Sequence, residues 1–169
     1  MDWSKAKNIL IIALLITNLV LGFFYLEGFS ENRKNEERFA EDLIEYIQQR
    51  GGIVECSLPM YSKKLPVLFV SFSKDSSEDS YKGIPVEAET EQAVVESAGD
   101  AKAKIRPCAE AVLDIISDGT LQIEGLVIKD AKLVYWTEHS ASLGSGKDTA
   151  FPSWRIETDS GVYHVTAYY

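Results

Sequence analysis

Residues 1–28 read MDWSKAKNILIIALLITNLVLGFFYLEG, and the reading of this stretch decides the architecture of everything after it. Ile9 to Leu26 is an apolar run of 18 residues interrupted only by Thr17 and Asn18. An α-helix rises about 1.5 Å per residue and a bilayer's hydrocarbon core is about 30 Å thick, so a helix of this length just spans. A cleavable signal peptide has a shorter apolar stretch and then small residues at a cleavage site. This run instead ends in Gly22, Phe23, Phe24, Tyr25 and Leu26. The sequence therefore predicts an uncleaved transmembrane helix over 9–26. Lys5 and Lys7 precede it and the segment after it mixes both signs, which puts residues 1–8 in the cytoplasm and all that follows Leu26 outside. Trp3 and Tyr25 suit the two interfaces, where amphipathic rings are favoured.

Asn18 is the polar residue in the middle of the run. An amide in an apolar environment is costly without a hydrogen bond, so such residues in spans commonly face another helix. Ile11, Leu15, Asn18, Gly22 and Tyr25 are spaced 4, 3, 4 and 3, which lines them along one stripe, with Gly22 allowing a close backbone approach one turn from the amide. That stripe is the candidate partner-binding surface. The alternative is an amide that bonds locally in a simple anchor.

Beyond residue 26 the chain has 143 residues, enough for one domain with a genuine core. Without Asp2, Lys5 and Lys7, this part holds 25 acidic and 15 basic side chains, a formal charge of −10. That balance repels nucleic acid and anionic surfaces. Residues 27–38 read as a charged juxtamembrane stalk and 39–169 as the folded domain. Glu31 to Arg50 has helical periodicity through Phe39, Leu43 and Ile47, and Gly51-Gly52 stops it. Strand patterning appears at Ile53 to Cys56, Pro66 to Phe72 and Ile84 to Glu87. Thr90 to Ala101 has the Glu and Ala content of a helix, and Pro107 opens a second helix that Gly119 ends. Strand-like runs follow at Leu121 to Ile123, Leu126 to Ile128, Ala131 to Thr137, Trp154 to Thr158 and Val162 to Tyr168, with Asp159-Ser160-Gly161 as a hairpin turn. The expected fold class is α+β: antiparallel sheet with helices on one face, in an order that suggests two similar α+β units.

Catalytic chemistry is not legible. Cys56, Cys108, His139 and His164 fall in no recognised spacing, and there is no nucleophile elbow, H-E-x-x-H, glycine-rich phosphate loop or C-x-x-C. The expectation is no enzyme, no cofactor and no metal. His139 reads as a solvated loop residue and His164 as one face of a strand. Cys56 and Cys108 permit a disulfide enclosing 51 residues, worth about 4 kcal/mol by the loop-entropy estimate. Two separate buried thiols are the alternative. The aromatic cluster Tyr135, Trp136, Phe151, Trp154, Tyr163, Tyr168 and Tyr169 reads mainly as core packing, with Trp154 and Ile156 inward and Arg155 outward.

Two stretches carry a resemblance. Met1-Asp2-Trp3-Ser4-Lys5-x-Lys7, followed at once by the run containing Leu15-Ile16-Thr17-Asn18-Leu19, resembles the N-terminus of the YycI (WalI) family. So does the C-terminus, where Phe151-Pro152-Ser153-Trp154-Arg155-Ile156 and Val162-Tyr163-His164-Val165-Thr166-Ala167-Tyr168 resemble the family's closing hairpin, with Thr166 where its asparagine is usual. Between them Lys132-Leu133-Val134-Tyr135-Trp136 also matches, and the chain resembles a shortened member. The resemblance implies a single-pass membrane regulator of the sensor histidine kinase WalK (YycG) in the WalK/WalR two-component system of cell-wall homeostasis in Gram-positive bacteria. It implies span contacts with the kinase and a YycH-like companion for the extracytoplasmic domain. The other reading open at this point is an anchored PepSY-like binding or inhibitor module with the span as a passive tether.

Overall fold

The computed structural model describes residues 3–72, 79–89, 92–138 and 147–168. The side chains of residues 3–6, 8, 9, 25–32 and 147 lie outside that description, as do residues 139 and 169 altogether. The chain divides into two compact units, Met1–Phe39 and Ala40–Tyr169.

The first helix, α1, runs from Trp3 to Gln49 without a break. Among the described residues no helix is long and apolar enough to cross a membrane, and this corrects the transmembrane helix expected over 9–26. The same helix takes in the apolar run, the charged segment after Leu26 and the helix predicted from Glu31. Gly51 (φ +86°) breaks the helix, and the Gly52 amide returns to the Ile47 carbonyl at 3.0 Å.

The second unit is α+β, built on one eight-stranded sheet. Its strands are β1 (Ile53–Val54), β2 (Lys64–Phe72), β3 (Ser80–Tyr81), β4 (Ile84–Ala88), β5 (Ala93–Lys104), β6 (Val127–Thr137), β7 (Lys147–Thr158) and β8 (Val162–Thr166). The path is β3-β4-β6-β7-β2-β5, with β1 on β6 and β8 on β7. The expectation of two similar α+β units gives way to this single sheet, because β2 from the first half lies hydrogen-bonded between β7 from the second half and β5. The sheet is also mixed, since β1 and β4 both run parallel to β6.

The sheet curls until its ends nearly meet, and Asp79 joins them. Its carboxylate accepts the Ser80 amide at 2.8 Å and the Val95 amide of β5 at 2.7 Å, while its carbonyl accepts the Val86 amide of β4 at 3.0 Å. The stretch from Thr90 to Ala101 has the Glu and Ala content of a helix, but Ala93–Lys104 forms β5. Pairing with β2 gives residues along β5 distant partners, from Ala93 opposite Phe72 to Lys104 opposite Lys64, and local propensity is too weak to resist it.

Helix α2 (Cys108–Ser117) follows Pro107 as predicted, buries Ala109, Ala111, Val112 and Ile115, and ends at Gly119 (φ +81°). Leu121 returns its amide to the Ile115 carbonyl at 2.8 Å, so the strand expected over 121–123 is a helix-closing turn. The core holds Leu68, Val70, Tyr135, Trp154, Ile156 and Ile128, with Ile47 from the end of α1. Its polar atoms are matched: the Tyr135 hydroxyl donates to the Pro66 carbonyl at 3.1 Å and the Trp154 indole N–H to the Arg106 carbonyl at 2.9 Å.

Candidate functional site

Successive side chains of a strand point to opposite faces, and directly paired residues share a face. Pairing of β6 with β7 sets Lys132 opposite Arg155 and Trp136 opposite Phe151, while β8 sets His164 opposite Arg155 and Thr166 opposite Ser153. The parallel strand β4 adds Glu87 beside Trp136. These residues therefore share the face opposite the one that carries Trp154 and Ile156.

Glu87 is the centre of the group. One of its oxygens lies 3.4 Å from the Lys132 ammonium, and the other lies 3.4 Å from both Arg155 Nε and His164 Nε2. Arg155 also reaches Glu157 at 2.9 Å. The His164 ring lies flat on the Trp136 indole, centroids 3.6 Å apart and planes 5° apart. Burial holds the imidazole below its ordinary pKa of 6.5, the partly opposing pull coming from the hydrogen bond and charge of Glu87. The ring is thus neutral at pH 7. Arg155, expected to point outward, does leave the core, but it stands in this ion-paired group with only a fifth of its side chain exposed.

Beside the group lies a cleft of about 410 Å³. Trp136, Phe151, Tyr168 and His164 give it aromatic walls, Thr149, Ser153 and Thr166 add hydroxyls, and Glu138 and Asp148 stand on its border. Phe151 and Tyr168 meet at 5.9 Å with 33° between planes, and Thr137 donates to Asp148 at 2.7 Å. The aromatic cluster expected mainly in the core is thus divided: Tyr135 and Trp154 are buried, whereas Trp136, Phe151 and Tyr168 line this cleft. Tyr163 is half-buried on β8, and Tyr169 lies outside the described residues.

The candidate stripe falls on α1 in the first unit. Ile11 is 46% and Leu15 60% exposed, and Asn18 is exposed too. A Cβ added at Gly22 would meet nothing within 4 Å. The Tyr25 side chain and His139 lie outside the described residues. Cys56 and Cys108 are free thiols, Cys56 half-buried and Cys108 buried. Burial, with the neighbouring Cys56 adding to it, pushes the Cys108 thiol up to about 12, and burial with the Asp130 charge raises Cys56 as well. Among the described residues no group of three or more His, Cys, Asp or Glu side chains is placed to hold a metal ion.

The residue that sequence reasoning missed is Glu87. Its only signal was an acidic side chain in a short apolar strand, and its partners come from positions 132, 155 and 164, which become neighbours through the sheet alone.

No family model matches the chain, and no curated protein matches it significantly.

Proposed function

We propose that this protein is a non-catalytic regulator that works by binding other proteins, with the Leu10 to Phe24 part of α1 packed against helices of its partner. The observation that carries this reading is the exposure of that segment. Leu10, Ile12, Leu14, Leu15, Ile16, Leu19, Leu21, Phe23 and Phe24 are each more than half exposed. A helix apolar on all sides gains nothing from water, and contiguous exposed apolar surface of this extent marks an interaction site. Ile11, Leu15, Asn18 and Gly22 form the stripe best suited to face another helix, because the amide finds a partner there and the glycine lets the backbones approach. The resemblance to the YycI family makes a sensor histidine kinase of the WalK kind the first partner to test and a YycH-like companion the second, bound by the sheet domain. Regulation then requires only that the helix contact two states of the kinase unequally.

The test is in-cell crosslinking or a two-hybrid assay between this chain and the sensor kinase, comparing wild type with Asn18→Leu, Gly22→Leu and a chain whose residues 9–26 are replaced by an unrelated apolar helix. Association that falls in the variants at equal expression supports the reading. Association that is absent, or that survives the replacement, overturns it.

A further inference from the structure

We propose that the cleft between the end of α1 and α2 binds a short apolar peptide with free ends, its carboxylate held by Arg50, its ammonium by Glu124 and its side chains packed on Leu113, Ile116 and Ile123. All of these residues belong to the second unit, and the inference stands apart from the reading of the Leu10 to Phe24 segment.

Helical spacing builds the walls. Leu43 and Ile47 turn inward from α1 and are buried, which leaves Tyr46 and Arg50, four residues apart, exposed beside the cleft. On α2, Val112 and Ile115 are buried, while Leu113 and Ile116 are half-buried and line the cleft. Two backbone hydrogen bonds fix the segment that closes it: the Leu121 amide donates to the Ile115 carbonyl at 2.8 Å and the Gly125 amide to the Gly51 carbonyl at 3.3 Å. The space is about 560 Å³, within the range of small-ligand sites. Its charges select the ligand. Arg50 and Glu124 both line the cleft and are exposed, yet among the described residues no ion pair joins them or takes either to another side chain. The Arg50 guanidinium lies instead over the Tyr46 ring, 4.6 Å from its centroid, which holds it in place without neutralising its charge. A lone anion would be drawn to Arg50 and repelled by Glu124, and a lone cation the reverse. A neutral apolar molecule would gain nothing from either. A peptide with free ends carries both charges at pH 7, since an α-carboxyl titrates at about 3.5 and an α-amino group at about 8. Its apolar side chains would take Leu113, Ile116 and Ile123 out of water.

The experiment uses the full chain, isotopically labelled and held in solution with a mild detergent. It is titrated with the dipeptide Leu-Leu, with acetyl-Leu-Leu, which lacks the ammonium, and with Leu-Leu-amide, which lacks the carboxylate. The expected result is movement of the Gly119, Gln122 and Ile123 amide signals, with binding about threefold to fivefold weaker for each capped peptide. Arg50→Gln and Glu124→Gln, changes at exposed positions, assign the charges. In the first variant Leu-Leu-amide binds as well as Leu-Leu while acetyl-Leu-Leu stays weaker, and in the second the order is reversed. Partition of the peptides into detergent, or loss of the fold, produces no such crossed pattern. Capped and free peptides that bind alike, a pattern that the two variants leave unchanged, shifts that map away from the cleft, or no shift at tens of millimolar peptide would each overturn the proposal.

Discussion

The imidazole of His164 lies on the indole of Trp136, ring centroids 3.6 Å apart and planes within 5° of parallel, while its Nε2 reaches Glu87 at 3.4 Å. One ring is thereby held between an apolar surface and a carboxylate, and the two pull its proton affinity in opposite directions. Burial wins. The imidazole therefore titrates below 6.5 in the folded chain and near 6.5 in the unfolded one. Because the unfolded state takes up the proton first, the contribution of His164 to stability is complete above pH 6.5. It is lost as pH falls from there through the lower folded value. Urea midpoints measured from pH 7.5 to pH 5, for wild type and for His164→Gln, should diverge at the alkaline end and converge on acidification. A wild-type midpoint that rises on acidification relative to His164→Gln would show the opposite sign.

Glu87→Gln removes the charge that Lys132, Arg155 and His164 share. Stability should fall by about 1 kcal/mol, since the pairs are partly exposed and screened. The same change should lower the His164 titration midpoint further, as it removes the interactions that raise it. An NMR titration of the imidazole alongside a denaturant curve reads both effects.

Asp79→Ala takes away the carboxylate that accepts the Ser80 amide on one side and the Val95 amide on the other. The buried part of this link fastens β5 to the β3 end of the sheet, so its loss should cost about 2 kcal/mol. Hydrogen exchange should quicken first at Val95, ahead of the β6 and β7 core. Uniform acceleration across the sheet would mean that Asp79 is not a local fastening.

The two cysteines should react at different rates. Cys108 is 0% exposed and its thiol is pushed up to about 12, so alkylation at pH 8 should reach it only after denaturation. Cys56 is half-buried with a raised pKa and should react in the native chain, slowly. Counting modified thiols by mass before and after unfolding checks this, and a chain that takes up no label even when unfolded carries the disulfide instead.

Gly22 and Gly52 make a paired comparison. A Cβ at Gly52 would stand 2.5 Å from the Ile47 side chain and 3.0 Å from the Ile123 carbonyl, so Gly52→Ala should cost about 1–3 kcal/mol in a thermal or denaturant melt. Nothing lies within 4 Å of a Cβ at Gly22, and a helix interior favours almost any residue over glycine by up to about 1 kcal/mol. Gly22→Leu should therefore leave folding intact, and any loss of partner association in that variant belongs to the interface.

Local features were legible wherever short-range chemistry decides them. Pro107 and Gly119 bracket α2, Gly51 and Gly52 end α1, and the turn at residues 159–161 joins β7 to β8, because proline lacks an amide hydrogen and glycine accepts positive φ. Alternation placed Trp154 and Ile156 in the core, since a strand with one buried face must alternate. Residues 93–101 misled for the complementary reason. Their glutamate and alanine content speaks for helix by a few tenths of a kcal/mol per residue, and the ladder with β2 outweighs it.

By itself the sequence determined the α+β class, the acidic charge balance, the stop of α1, both ends of α2 and the apolar segment near the start of α1. Each follows from composition or from contacts a few residues apart. Only the tertiary structure decided that the strands share one nearly closed sheet, that α1 runs unbroken to Gln49, and that Glu87 gathers Lys132, Arg155 and His164 beside an aromatic cleft. These depend on which strand pairs with which and in what register, and pairing energy arises between residues tens of positions apart that carry no mark of one another in the chain.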